Sequence, residues 1–118
     1  MSTRKLRIEQ LIKRTISFTL INEIDCSNHI ERMPSISRVE LSKDLSFAKI
    51  YLLFDNDNID KKDSLLKHLK QSTSFIKKSL SINAHLKYTP KIEFKVDQQM
   101  MFLEKLNQTF KNNHKDNL

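Results

Sequence analysis

Apolar positions in this chain recur at two spacings, and the changes between them divide it into elements. Ile8, Leu11, Ile12, Thr15, Ile16, Phe18 and Thr19 fall in one broad stripe at helical spacing, which predicts an amphipathic helix over residues 4–24. Leu20, Ile21 and Ile24 drift off the stripe, so something else should enclose the last turn. A polar connector with Pro34 near its end follows. Ile36–Leu41 then alternates, with Val39 and Leu41 opposite Arg38 and Glu40, as a half-buried strand does. Ser42-Lys43-Asp44 reads as a turn into a second strand, Phe47–Phe54. Ile50, Leu52 and Phe54 share one of its faces, and so short a link predicts an antiparallel hairpin.

Helical spacing returns at residue 60. A helix over about 60–71 should bury Leu65, Leu66 and Leu69 and turn Lys67 and Lys70 outward, with Asp57 or Asp60 as its cap. Ser72-Thr73-Ser74 reads as a polar break. A further helix follows, with Phe75, Ile76, Leu80, Ile82 and Leu86 on its apolar face. Ser74, Lys77, Lys78, Ser81 and His85 project on the opposite side, within an arc of about 100°. Beyond Pro90, Lys91–Val96 alternates as a third strand with Ile92, Phe94 and Val96 inward. Met100, Leu103, Leu106 and Phe110 predict a last helix over 98–110, ahead of a polar, frayed 111–118. This order makes an α+β domain, three strands covered on one face by helices.

Charge sharpens the picture most at residues 61–95, which hold nine lysines against Asp63 and Glu93. The chain as a whole carries a formal net charge of +7 across its 118 residues. Such a surplus points to a polyanionic partner, most often nucleic acid. Arg7 and Arg14, seven residues apart, lie along one flank of the first helix and add to it.

Several chemistries are excluded or disfavoured. The chain has no glycine, and phosphate-cradling glycine loops and dinucleotide fingerprints need the close backbone approach that glycine alone permits. Asp55-Asn56-Asp57-Asn58 begins like a calcium loop, but Asp60 stands where glycine is required and Leu66 where the closing carboxylate belongs. Cys26 and His29 have the spacing of half a zinc site with no second pair at a suitable distance. Ser74 and Lys77 have Ser-x-x-Lys spacing, which acts only inside a deep pocket with further partners. No catalytic residue, metal or cofactor is therefore expected. The longest apolar run, Ile50–Phe54, is five residues, far short of a membrane span, and a lone cysteine fits a reducing cytoplasm.

Nucleic-acid binding is the better-supported reading. Two basic helices meeting at a break, beside a three-stranded sheet, form the arrangement of a KH domain, in which a loop at the break clamps the nucleotide backbone. The backbone N–H groups of the break are expected to be free for a phosphate. Tyr51 and Tyr88 are the only candidates for stacking on bases, so backbone and shape recognition should dominate. The competing reading is a protein-interaction adaptor in which the basic face steers encounter and the Met100–Phe110 helix makes the contact.

Specific residues also carry a family resemblance. Val39-x-Leu41-Ser42-Lys43-Asp44-Leu45 is followed by Ala48-Lys49-Ile50-Tyr51. Phe75-Ile76-Lys77 comes next, then Leu86-Lys87-Tyr88-Thr89-Pro90-Lys91-Ile92-Glu93-Phe94-x-x-Asp97. In this order and spacing, over about residues 4–97, the chain resembles ribosome-binding factor A, a bacterial small-subunit assembly factor. The resemblance implies a type II KH-like domain, α-β-β-α-kink-α-β, over residues 1–97, with a C-terminal helix and polar tail over 98–118.

It further implies a cytoplasmic, monomeric protein without catalytic activity that binds free 30S small ribosomal subunits and 16S rRNA. Late maturation, processing of the rRNA 5′ end and cold adaptation are the family's themes, with ribosomal proteins and a maturation GTPase as further partners. The expected RNA-binding set is Arg7, Arg14, Lys67, Lys70, Ser72, Thr73, Ser74, Lys77, Lys78, Ser81, His85 and Lys87. The family usually carries Ala-x-Gly at the kink, where this chain has Ser72-Thr73-Ser74. Its arginines after Phe-Ile and in the next turn are matched by Lys77, His85 and Lys87, which keep positive charge mostly but lose the planar fork.

Overall fold

The computed structural model describes residues 3–25, 33–54 and 59–116. Helix α1 (Thr3–Asn22) leads to strands β1 (Ser35–Leu41) and β2 (Phe47–Leu53). A 3-10 turn (Ile59–Lys61) then enters α2 (Lys62–Gln71), α3 (Thr73–Asn83), strand β3 (Lys91–Val96) and α4 (Gln98–Asp116). The sheet order is β1-β2-β3, with β1 antiparallel and β3 parallel to the central β2. A parallel neighbour requires a crossover, and α2 and α3 supply it. This is the α+β arrangement of three strands under helices that the hydrophobic pattern predicts, and the parallel β3 makes the sheet mixed.

Strict alternation along β2 places Ala48, Ile50 and Leu52 wholly inside. Ile12, Ile16 and Leu20 of α1, Leu65 and Leu69 of α2, and Ile76 and Leu80 of α3 close over that face. Each large aliphatic side chain removed from water in this way contributes roughly 1.5–3 kcal/mol. The opposite face presents Arg38, Glu40, Lys49, Tyr51 and Glu93, all half-buried or exposed.

In a regular strand Ile36 would share the solvent face with Arg38. The pairing shifts between those two residues, leaving Ser37 as an extra residue. This bulge returns Ile36 to the core side with Val39 and Leu41, and it turns Ser37 toward Asp97. Glu9 of α1 accepts the Leu41 N–H at 2.8 Å, which satisfies a backbone donor at the end of edge strand β1.

The helical stripes are rotated from the predicted ones. On α1 the buried set is Ile12, Thr15, Ile16, Thr19 and Leu20, whereas Phe18 is exposed. At about 100° per residue Phe18 lies well off the centre of that set, and Leu20 lies within it. On α3 the buried set is Ile76, Ser79 and Leu80, with Phe75 and Ile82 exposed on the flank away from Leu80. Ser79 is buried at the edge of that set by a polar contact between the two helices. Thr19 Oγ1 gives its hydrogen to Thr15 O (2.9 Å), so it is Ser79 that donates to Thr19 Oγ1 at 2.8 Å. Asn83 Nδ2 donates in turn to Ser79 Oγ at 3.0 Å.

Two helix boundaries also differ from expectation. Lys61, with no side-chain cap bond, occupies the N-cap of α2, because the 3-10 turn absorbs Asp60; Asp57 lies outside the described residues. Helix α4 continues to Asp116 rather than fraying from residue 111. Its Met100, Leu103 and Leu106 are exposed along with Phe102, and Met101 packs on the core.

Candidate nucleic-acid interface

The break between α2 and α3 is one residue long. Ser72 sits at φ −91°, ψ 5°, close to helical values, and serves both as the C-cap of α2 and as the N-cap of α3. Thr73 and Ser74 are already helical. The hydroxyls beside the break turn back onto α2: Ser72 Oγ donates to His68 O at 3.0 Å and Thr73 Oγ1 to Lys70 O at 2.6 Å. The Ser72 N–H is not free, since it points to His68 O and Leu69 O. Helix α3 makes its first turn bond from Ile76 N–H to Ser72 O, and the amides of Thr73, Ser74 and Phe75 precede it without intrahelical acceptors. Those three amides, rather than a loop, are the donors that this break offers an anion.

The candidate cations separate into groups. Lys67, Lys70 and Thr73 line a cleft of about 590 Å³ between α2 and the free edge of β3, together with Phe47, Leu66 and Phe94. Lys77 and Lys87 line a second cleft, of about 520 Å³, with Arg4 and Tyr88. Lys91 borders both. Ser74, Lys78, Ser81 and His85 are exposed on the outer side of α3 and its C-terminal end, and Arg7 and Arg14 are exposed on α1. The charge is thus arranged along two clefts that share one lysine, flanked by exposed cations.

Arg4 and Lys91 belong to this surface and are absent from the set expected from sequence. Lys91 pairs with Phe47 across the sheet, and its N–H donates to Ser46 O at 2.9 Å, which pins it beside the β1–β2 turn. Its signal was its place as the first residue of β3, just after two lysine-rich helices. Arg4 precedes the apolar stripe of α1, and nothing in its local spacing marks it.

The β1–β2 turn is rigidly built. Ser42 Oγ accepts from the N–H groups of Ser46 and Phe47 and donates to Asp44 Oδ1 at 2.8 Å. The Ser46 hydroxyl, the Ser42 hydroxyl and the Ser46 N–H hold the Asp44 carboxyl below its ordinary range. Leu45 adopts φ 64° here and His85 adopts φ 55° just past α3. Glycine usually fills such left-handed positions, and this chain has none.

Of the two tyrosines, Tyr51 is engaged on the open sheet face, with the Arg38 guanidinium 4.0 Å from its ring centroid. Tyr88 is 81% exposed and has Lys87 Nζ 5.6 Å from its ring. Among the described residues no group of three His, Cys, Asp or Glu is placed to hold a metal ion, and no helix is long and apolar enough to cross a membrane. Cys26 and His29 lie outside the described residues. Ser74 is exposed on α3 and Lys77 is half-buried at the second cleft.

Comparison with known proteins decides which family has this architecture. The family model for ribosome-binding factor A matches residues 4–110. The chain belongs to the ribosome-binding factor A family. The match extends past the resemblance seen at residues 4–97 to take in much of α4. The ribosome-binding factor A of Finegoldia magna is 32% identical over 118 residues, covering 97% of each chain. That of Clostridium beijerinckii is 34% identical over 97 residues, covering 81% of this chain and 80% of the relative.

Solved structures share the fold. The crystal structure of ribosome-binding factor A from Thermus thermophilus superposes with a TM-score of 0.61 at 19% identity, covering 78% of this chain and 94% of the other. A homology model of the Thermus thermophilus factor, fitted into the cryo-EM map of a 30S complex, gives 0.59 at 18% identity, covering 75% and 90%.

Proposed function

We propose that this protein binds the small ribosomal subunit and its 16S rRNA during late maturation and assists processing of the rRNA 5′ end. Membership of the ribosome-binding factor A family supports the first part, as does the fitting of the Thermus relative into a 30S complex. The observation that carries the reading to particular residues is the meeting of two cation-lined clefts at Lys91, beside the α2–α3 break. Lys67, Lys70, Lys77, Lys87, Lys91 and Arg4 contact phosphates there, and the first amides of α3 add donors. Lys78, His85, Arg7 and Arg14 extend the field that draws the protein to RNA.

In this reading residues 1–97 form the RNA-binding unit and residues 98–118 an appended helix and tail. The protein works by binding alone, as a monomer in the cytoplasm, and leaves the subunit before translation. Ribosomal proteins and a maturation GTPase are its further partners. Sedimentation of a cell lysate through sucrose at low magnesium, which separates the subunits, tests the central element. The protein should travel with free 30S particles, and the triple variant Lys67→Glu, Lys70→Glu, Lys91→Glu should stay at the top. Equal sedimentation of variant and wild type would contradict it.

A second reading has its own supporting observation. Phe102, Leu103 and Leu106 are exposed along α4, which suits a protein contact made by that helix while the basic face steers encounter.

A further inference from the structure

The second cleft differs in chemistry from the first. Its lining brings together four cations, Arg4, Lys77, Lys87 and Lys91, with one carboxylate, Asp44. The Asp44 Oδ1 atom is already engaged by Ser42 and Ser46. Ile8, Leu45, Leu86 and Pro90 give the cleft an apolar element. At its border stands Tyr88, the most exposed of the large apolar side chains among the described residues. Lys87 Nζ lies 5.6 Å from the ring centroid over one face, and a nucleobase stacks on the other face without regard to sequence. Cations grouped around such a platform are the other half of a single-strand site, because a stacked nucleotide brings its phosphates with it.

We infer that this cleft is a nucleotide subsite for single-stranded RNA, in which one unpaired base stacks on Tyr88 while Arg4, Lys77, Lys87 and Lys91 hold the flanking phosphates. The inference rests on the RNA-binding reading above and goes beyond backbone recognition. Two features orient the subsite. Lys91 is shared with the cleft beside the α2–α3 break, so a strand held at the break passes Lys91 to reach Tyr88. The segment that presents Tyr88 is anchored on both sides, by the end of α3 at Ala84, whose N–H bonds Leu80 O, and by the Lys91 bond to Ser46. The ring is carried between those two anchors, on the segment that joins α3 to β3. Tyr51, the other tyrosine, already lies under Arg38 and is not open to a base on that face.

The test uses the full chain and a fluorescently labelled single-stranded RNA of about ten nucleotides, with a hairpin-closed duplex of similar length as the comparison. Tyr88→Ala should weaken single-strand binding by about 5- to 150-fold, the range for loss of one stacked base, with little change on the duplex. Tyr88→Phe, which keeps the ring, should bind within about twofold of wild type. Lys87→Gln should lower the magnitude of the single-strand salt slope by about 0.7, and Tyr88→Ala should leave that slope unchanged.

Tyr88→Ala binding as wild type while Lys70→Glu loses affinity would overturn the subsite and leave the RNA-binding reading standing. Equal weakening on single strand and duplex would also overturn it. Failure of the wild-type protein to bind either RNA would overturn both. Matching thermal midpoints for the two Tyr88 variants and wild type show that the fold is intact.

Discussion

Ser37 donates a 2.6 Å hydrogen bond to Asp97, joining the bulge in β1 to the residue that starts α4. Asp97 is only 1% exposed, yet it remains a carboxylate. Burial pushes its pKa up, while the Ser37 hydroxyl, the Met100 N–H and Arg38 together pull it further down, below the ordinary value. Its own N–H donates to Leu52 O at 2.8 Å. One residue thus caps α4 and ties that helix to two strands.

The pH dependence follows from the direction of that shift. A carboxyl with a depressed folded-state pKa contributes stability that is present above its unfolded value, near 4, and lost as pH falls through the folded value. Asp97→Asn should lower stability at pH 7 by about 1.5–3 kcal/mol, the range for a hydrogen bond to a charged group. It should also flatten the loss of stability below pH 4. Urea unfolding at pH 7 and pH 3 checks both. An Asn variant as stable as wild type at pH 7 would show that the cap carries no energy.

Ser79→Ala should cost about 1 kcal/mol, since Thr19 Oγ1 keeps its bond to Thr15 O but loses the donor from α3. The buried hydroxyl is then left with an unused acceptor site, and the α1–α3 seam loses its polar register. A thermal melt with a midpoint lowered by a few degrees is the expected result.

Phe102→Ser with Leu106→Ser should change folding stability by less than about 0.5 kcal/mol, because both side chains are exposed on α4. If the double variant keeps its affinity for short RNA and loses co-sedimentation with 30S particles, α4 makes a protein contact on the subunit. Retention of both assigns the association to the basic clefts alone.

The strands and the central core were legible because Ile50, Leu52 and Phe54 recur at a spacing of two along β2 and its continuation, and Leu65 and Leu69 have helical spacing. The helix faces were less so. Periodicity weighs residues by hydrophobicity, so Phe75 and Ile82 drew the predicted stripe of α3 toward themselves. The actual stripe is centred near Ile76, and Ser79, a polar residue buried because Thr19 lies across from it, stands at its edge. Ile36 reached the core through a bulge, and no local pattern announces an extra residue at Ser37. On the candidate interface, the lysines of α2 and α3 were visible as charge. Their division into two clefts meeting at Lys91, with Arg4 arriving from the other end of the chain, depends on tertiary packing alone. The three-residue break shrank to Ser72 because Ser72 and Thr73 return their hydroxyls to α2 carbonyls and so keep the backbone near-helical.

The most direct measurement is the salt dependence of RNA affinity for wild type and for Lys70→Gln with Lys91→Gln. With about six phosphates neutralised across the two clefts, log K should fall with log salt at a slope of about −4 to −5. Removing two of those contacts should reduce the magnitude of the slope by about 1.5–2. An unchanged slope in the double variant, or binding indifferent to salt in the wild type, would contradict the assignment of the Lys91-centred clefts as the RNA interface.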